Sequence, residues 1–228
     1  MKNILLCGAG RGIGFETCKI LAKSNKVLAL SRTVQQLEQL SKDKFNLHSA
    51  SLDLTSPNLG NDLSKLIKEH LNSSIDIVIY NAGFLINKPI TELASSEILN
   101  MYQTNVLGAF EVAKTSKDFF GEKGHIVLIS SMGGVQGTSK FPGLSAYSSS
   151  KAALIGLGEC LAEEWKEDKI AVNNLALGAV QTEMLEEAFP GYQAPTTAEE
   201  MGQYIAEFAL NGDKYFSGKT LQVANSTP

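Results

Sequence analysis

The chain of 228 residues is 43% hydrophobic, enough for one sizeable core, and no linker-like stretch divides it, so a single domain over 1–228 is expected. Its formal net charge is −4, with lysines and arginines spread along the sequence, which argues against a nucleic-acid surface or a polybasic membrane patch. No apolar run approaches the roughly 20 residues that cross a bilayer, so a cytoplasmic protein without membrane association is expected.

Met1-Lys2-Asn3-Ile4-Leu5-Leu6-Cys7 loses its apolar character at Gly8, and Arg11 follows before any cleavage-like site. It reads as a buried strand over 2–7 rather than a secretory leader. Gly8-Ala9-Gly10-Arg11-Gly12-Ile13-Gly14 leads into a helix over 13–24. A strand over 26–31, a helix over 33–42, a strand over 45–52 and a helix over 59–71 follow. The apolar strand 75–80 runs into Asn81-Ala82-Gly83. A long periodic helix over 95–120 is capped by Ser95-Ser96-Glu97 and stopped by Gly121 and Gly124. Strand 124–130 ends in Ser130-Ser131, helix 146–167 carries Tyr147 and Lys151 near its start, and strand 169–176 comes next. Residues 183–196, with Phe189, Pro190, Gly191, Tyr192 and Pro195, have the least regular pattern and read as a substrate lid. A helix over 197–211, closed by Asn211-Gly212, precedes the last strand, 219–224.

Most of these strands are rich in Ile, Val and Leu on both faces, as in a parallel sheet covered by helices on either side. The alternation predicts an α/β, Rossmann-type doubly wound fold with a mostly parallel seven-stranded sheet and right-handed crossovers. Cys7, Cys18 and Cys160 form an odd, scattered set that fits neither a disulfide framework nor a metal-ligand spacing, in keeping with a reducing cytoplasm. His48, His70 and His125 lie far apart with no paired carboxylate motif, so no metal site is expected.

Tyr147 and Lys151 stand four residues apart, so on a helix the phenol and the ammonium share one face. Bringing a phenol from its usual pKa of about 10 to near neutrality takes about 4 kcal/mol of preference for the phenolate. A cation about 4 Å away supplies that much at an effective dielectric near 20. A general acid/base tyrosine is therefore expected. The glycine run falls between the first strand and the first helix, where a phosphate meets free backbone amides. It departs from the strict Gly-x-Gly-x-x-Gly fingerprint, yet four glycines in seven residues exceed what a tight turn requires. Arginine occurs only at Arg11, in that loop, and Arg32, just past the second strand beside Ser31. In a dinucleotide fold both places can flank the adenosine ribose, and a guanidinium there suits a 2′-phosphate, whereas NAD sites usually place a carboxylate near the end of strand two. NADPH is expected in preference to NADH.

Taken together, the glycine loop, Asp53, Asn81-Ala82-Gly83, Asn105, Ser131 and Tyr147 with Lys151 resemble the compact single-domain branch of the short-chain dehydrogenase/reductase family, over essentially the whole chain. The resemblance implies that Asp53 and Leu54 lie by the adenine, that Asn81, Ala82 and Gly83 border the cofactor, and that Gly178, Val180 and Thr182 meet the nicotinamide side. It implies that Ser131 binds the substrate carbonyl, Tyr147 protonates its oxygen, Lys151 binds the nicotinamide ribose, and Asn105 anchors a water for proton relay. Three departures stand out: Cys7 where threonine is usual, Leu177 where proline is usual, and a longer stretch before Tyr147, centred on Gly137–Pro142. Phe84, Met132, Phe141, Leu144, Met184, Phe189 and Tyr192 are expected to wall an apolar substrate pocket. The expected protein is an NADPH-dependent reductase of a small or medium ketone or aldehyde, or the reverse, working as a homodimer or homotetramer built through residues 100–120 and 152–165. A dehydratase or epimerase using the same tyrosine, and a catalytically idle NADPH-binding regulatory protein, are the alternatives.

Overall fold

A computed structural model describes residues 1–42 and 44–225; Asp43 and the expected domain's last positions, 226–228, lie outside the described residues. In chain order the elements are β1 (Asn3–Cys7), α1 (Gly12–Leu21), β2 (Lys26–Ser31), α2 (Gln35–Ser41), β3 (Leu47–Ser51), α3 (Leu59–His70), β4 (Ile75–Tyr80), α4 (Ser95–Tyr102) and α5 (Gly108–Lys117). They continue with β5 (Phe120–Ser131), α6 (Ser145–Glu164), β6 (Ile170–Leu177), β7 (Val180–Gln181), α7 (Glu183–Ala188), β8 (Thr196–Thr197), α8 (Ala198–Asn211) and β9 (Thr220–Val223). Seven strands form one sheet in the order β3-β2-β1-β4-β5-β6-β9, every neighbouring pair parallel.

Side-chain alternation along the strands divides the core between the two faces. Leu5 and Cys7 of β1 pack with α3, α5 and α6 residues such as Leu63, Val112 and Leu154, whereas Ile4 and Leu6 pack with Cys18, Leu37 and Ile205 of α1, α2 and α8. This is the doubly wound arrangement. Among the described residues no helix is long and apolar enough to cross a membrane.

Several expected boundaries differ from the structure. The helix expected over 95–120 is broken by a π-turn at Gln103–Leu107 and ends at Lys117, while Gly121 and Gly124, expected to stop it, lie inside β5. β5 starts early because Ile75 pairs with Phe120 across a register shift that precedes the regular ladder. At the start of α4, Glu97 accepts from the Ala94 amide at 2.8 Å, and Ser95 and Ser96 are helical rather than capping. The segment expected to be irregular, 183–196, holds α7, and its two flanks are tied together by the parallel pairing of Val180 with Thr196 and Gln181 with Thr197.

Of the three histidines expected to stand apart, two meet: the rings of His48 and His70 stack with centroids 5.2 Å apart. His125 is buried between the Ala209 carbonyl, 2.9 Å from Nδ1, and the Asn173 amide, 3.1 Å from Nε2. Both contacts suit the neutral ring, and burial holds its pKa below the ordinary 6.5, although Ala209 and Asp213 pull the other way. A depressed pKa means that the folded state binds this proton less readily than the unfolded one, so stability is intact above pH 6.5 and falls as the pH drops. We expect the melting temperature to fall more steeply between pH 7 and pH 5 in the wild type than in His125→Asn; equal slopes would rule the histidine out as the source.

Candidate active site

The strand order reverses between β1 and β4, and the parallel strands bring their carboxyl ends to a common edge of the sheet. A cleft of about 540 Å³ opens there. Its wall contains Gly8, Gly10, Arg11, Gly12, Ile13, Ser31, Arg32, Asp53, Leu54, Asn81, Ala82, Gly83, Ser131, Tyr147, Lys151, Gly178, Val180 and Thr182. Two expected site residues, Gly14 and Asn105, do not reach this wall.

The turn after β1 is fixed by close approach. Gly8 has φ +83°, and a Cβ there would sit 2.5 Å from the Ala82 nitrogen, so only glycine fits. The Asn81 amide donates to the Gly8 carbonyl at 2.8 Å, locking the loop to the end of β4. Gly14 supports that contact from behind: a Cβ there would run into the Gly8 carbonyl and lie 2.5 Å from Asn81 Nδ2. Arg11 precedes α1 without a side-chain cap, so the first-turn amides on Gly12 and Ile13, which line the cleft, have no side-chain acceptor. Uncapped amides at a helix start, approached by glycine backbone, fit the pyrophosphate of a dinucleotide.

Arg11 and Arg32 have different surroundings. Arg11 Nη1 donates to Glu183 at 2.8 Å and Glu187 at 3.2 Å, so it ties the glycine loop to α7. Arg32 is exposed near Asp53, and its charge adds to the effect of the Thr55 amide and hydroxyl, 2.9 and 2.8 Å from Asp53 Oδ1, in holding that carboxyl below its usual range. Asp53 thus caps the turn after β3 while lining the cleft. Thr182 Oγ1 accepts from the Leu185 amide at 3.2 Å, which caps α7 and leaves the hydroxyl proton free to donate.

Tyr147 opens onto the cleft beside Ser131, one turn below Lys151 on α6. Lys151 is 3% exposed; its Nζ donates to the Ile129 carbonyl at 2.8 Å and lies 5.8 Å from the Tyr147 ring centroid. The expected acidification of the phenol by a touching cation is not supplied by the protein's own groups. Burial pushes Tyr147 up to about 12, partly opposed by the Ser131 hydroxyl, and pushes Lys151 down to about 8.

Asn105 sits behind the cleft wall. It is fully buried, its Oδ1 accepts from the Phe84 amide at 2.7 Å, and its Nδ2 donates to the Phe84 carbonyl and to Ser150 Oγ, each at 2.9 Å. Both amide hydrogens are committed, so this side chain clamps the Phe84 backbone to Ser150 of α6. Met132, Phe141, Leu144, Met184, Phe189 and Tyr192 line the cleft as expected, but Phe84, held by its backbone, does not; its neighbour Leu85 does. Sequence reasoning passed over Ser150, whose hydroxyl donates to the Tyr147 carbonyl at 2.7 Å, and Ser130, whose hydroxyl donates to the Lys151 carbonyl at 2.9 Å. Both stand in serine runs flanking residues already singled out, which was the available signal.

A sequence model described as short chain dehydrogenase matches residues 2–193. The chain belongs to the short-chain dehydrogenase/reductase family. It is similar to L-xylulose reductase of Caenorhabditis elegans, with 32% identity covering 80% of this chain and 73% of the relative. Its fold is similar to that of 4-hydroxyisoleucine dehydrogenase complexed with NADH, at a TM-score of 0.87 and 25% identity over 99% of this chain and 98% of the other. A short chain dehydrogenase from Burkholderia cenocepacia J2315 in complex with NADP has the same fold, at a TM-score of 0.85 and 22% identity over 99% and 97% of the two chains. Members of this short-chain dehydrogenase/reductase family are oxidoreductases whose fold binds an NAD(P) nucleotide.

Proposed function

We propose that this short-chain dehydrogenase/reductase reduces an uncharged ketone or aldehyde with NADPH, or runs the reverse oxidation. The observation that carries this reading is the meeting of Ser131, Tyr147 and Lys151 in a cleft that also receives the glycine loop and an apolar wall of Leu85, Met132, Leu144 and Met184. When bound, the nicotinamide supplies the hydride. The chain's own groups do the rest. The Ser131 and Tyr147 hydroxyls donate toward the substrate oxygen, and Tyr147 delivers a proton as negative charge develops there. Lys151 holds its proton only weakly at its buried site, which suits it to restore the Tyr147 proton and to donate to a ribose hydroxyl.

Gly8, Gly10, Gly12 and Ile13 hold the pyrophosphate, Asp53 and Leu54 border the adenine, Asn81, Ala82 and Gly83 flank the bound nucleotide, and Gly178, Val180 and Thr182 meet the nicotinamide amide. Because Arg11 is paired with Glu183 and Glu187, the 2′-phosphate is read by Arg32 with Ser31. A reduced cytoplasm, where Cys7 and Cys18 stay buried thiols, a domain over 1–228 with 183–196 as its lid, and a homodimer or homotetramer complete the reading.

Saturating NADPH should raise the melting temperature by several degrees, as ligand at about 100 times Kd contributes about 2.7 kcal/mol. Substrates from a carbonyl panel should then oxidise it. A nucleotide that shifts melting without any turnover would favour an idle binding protein, and no shift with either nucleotide would end the proposal. Arg32→Ala is expected to weaken NADPH about 10- to 100-fold, the range of a lost charge-assisted contact to phosphate, with NADH changed less than threefold. Parallel fluorescence titrations with the two nucleotides check this, and an unaltered NADPH/NADH ratio would mean that the phosphate is read elsewhere.

A further inference from the structure

Tyr80 ends the otherwise aliphatic core of β4, Ile75-Asp76-Ile77-Val78-Ile79-Tyr80, and is fully buried. A buried phenol needs a partner for its hydroxyl. It donates to the Thr104 carbonyl at 2.5 Å, 24 residues away in sequence. Thr104 lies in the π-turn Gln103–Leu107 between α4 and α5, and the turn explains why its carbonyl is available. In an α-helix that carbonyl would accept from the amide of Gly108, four residues on. Here the Gly108 amide bonds instead to Gln103, five residues back, which leaves the Thr104 carbonyl to the phenol. Gly108 allows the approach: a Cβ there would lie 2.5 Å from the Tyr80 hydroxyl and 3.1 Å from the Leu54 carbonyl.

The next residue after Thr104 is Asn105. Its clamp on the Phe84 backbone and on Ser150, and the Ser150 hydroxyl's bond to the Tyr147 carbonyl, form a continuous polar chain from the π-turn to the first turn of the helix that carries Tyr147. Every link lies within 2.9 Å. We propose that Tyr80 is a positioning residue for the reaction: by holding the π-turn open at Thr104 it sets the depth of Asn105, and through Ser150 the placement of the Tyr147 hydroxyl against the substrate. The assignment rests on the reductase reading above. It adds a residue outside the cleft wall whose hydroxyl touches neither substrate nor nucleotide.

Tyr80→Phe keeps the ring in the core and deletes only the donor. The expected result is a 10- to 30-fold fall in kcat with KM for the carbonyl and Kd for NADPH each within about twofold, because the disturbed group acts at the chemical step. Hydrogen exchange at the Phe84 amide, whose proton Asn105 holds, should accelerate at least tenfold. The double variant Tyr80→Phe, Gly108→Ala puts a methyl group into the space of the deleted hydroxyl, where it still stands 3.1 Å from the Leu54 carbonyl, so the melting temperature should recover in part while kcat stays low. Normal kcat in folded Tyr80→Phe, or recovery of kcat together with melting temperature in the double variant, would reduce Tyr80 to a packing role and overturn the proposal. Unchanged protection of the Phe84 amide would overturn it as well, whether or not a substrate is in hand. A wild-type chain inert toward the whole carbonyl panel, yet with the accelerated exchange in Tyr80→Phe, would count against the reductase reading while leaving the link from Tyr80 to Asn105 supported.

Discussion

Tyr147→Phe is expected to lower kcat by at least a thousandfold while leaving the Kd for NADPH within about threefold. General acid catalysis by a placed side chain contributes typically 10²–10⁴-fold, and in the proposed reaction this phenol is also one of two donors at the developing oxyanion, which puts the expectation in the upper part of that range. Phenylalanine keeps the ring among its neighbours on α6 and removes only the proposed proton source, and the groups proposed to hold the nucleotide, the glycine loop and Arg32, are untouched. Stopped-flow turnover beside equilibrium titration separates the two quantities. If both fell together, Tyr147 would be holding the nucleotide rather than delivering a proton. Within the protein's own field burial pushes its pKa up to about 12, which favours the protonated phenol that the proposed reduction needs.

Lys151→Met is expected to abolish turnover and yet stabilise the fold at pH 7. The ammonium is almost wholly buried, its one hydrogen-bond partner among the described residues is a carbonyl, and burial lowers its pKa from 10.5 to about 8. Below pH 8 both folded and unfolded chains carry the proton, and the folded one bears a desolvation cost on the order of 3 kcal/mol. As the pH rises from about 8 toward 10.5 the native state releases the proton first, so this residue makes stability climb with pH through that window. Tyr147 acts oppositely but later: its pKa is raised from 10 to about 12, so its contribution is complete below pH 10 and is lost above it. Between pH 8 and 10 the lysine alone of this pair sets the slope. Methionine fills similar volume without charge, and after the loss of the Ile129 contact a net gain of about 1–3 kcal/mol is expected at pH 7, about 3–10 °C in melting temperature. Thermal melts of the two proteins at pH 7 to 10 should converge as the pH rises; parallel curves would show that the buried ammonium carries no such cost.

The parts of this protein that could be read from the chain are those whose causes are local. Aliphatic runs on both faces of short strands announce a sheet covered twice, and the seven strands of that sheet fall within a few residues of the expected ones, apart from the early start of β5, whereas the short pair β7 and β8 was not expected. The glycine loop, Asn81-Ala82-Gly83, Ser131 and the Tyr147–Lys151 pair are contiguous or nearly so, and the cleft wall contains all of them except Ala9 and Gly14. Local rules misplaced Gly121 and Gly124 because glycine stops a helix only if nothing else claims it, and here the pairing of Phe120 with Ile75 draws the segment into the sheet.

What the sequence determined by itself was the order of elements, the doubly wound architecture and the set of chemical groups brought to the sheet's carboxyl edge, because periodicity and turn chemistry act over a few residues. Tertiary structure alone decided how those groups are employed. Arg11 is engaged by Glu183, 172 positions away, Asn105 is consumed by the backbone of Phe84 and by Ser150, and the phenol of Tyr80 reaches a carbonyl that only a π-turn leaves free. Partnerships of this kind depend on distances fixed by the packed fold, and so does the desolvation that drives the protonation equilibria of Tyr147 and Lys151 in opposite directions.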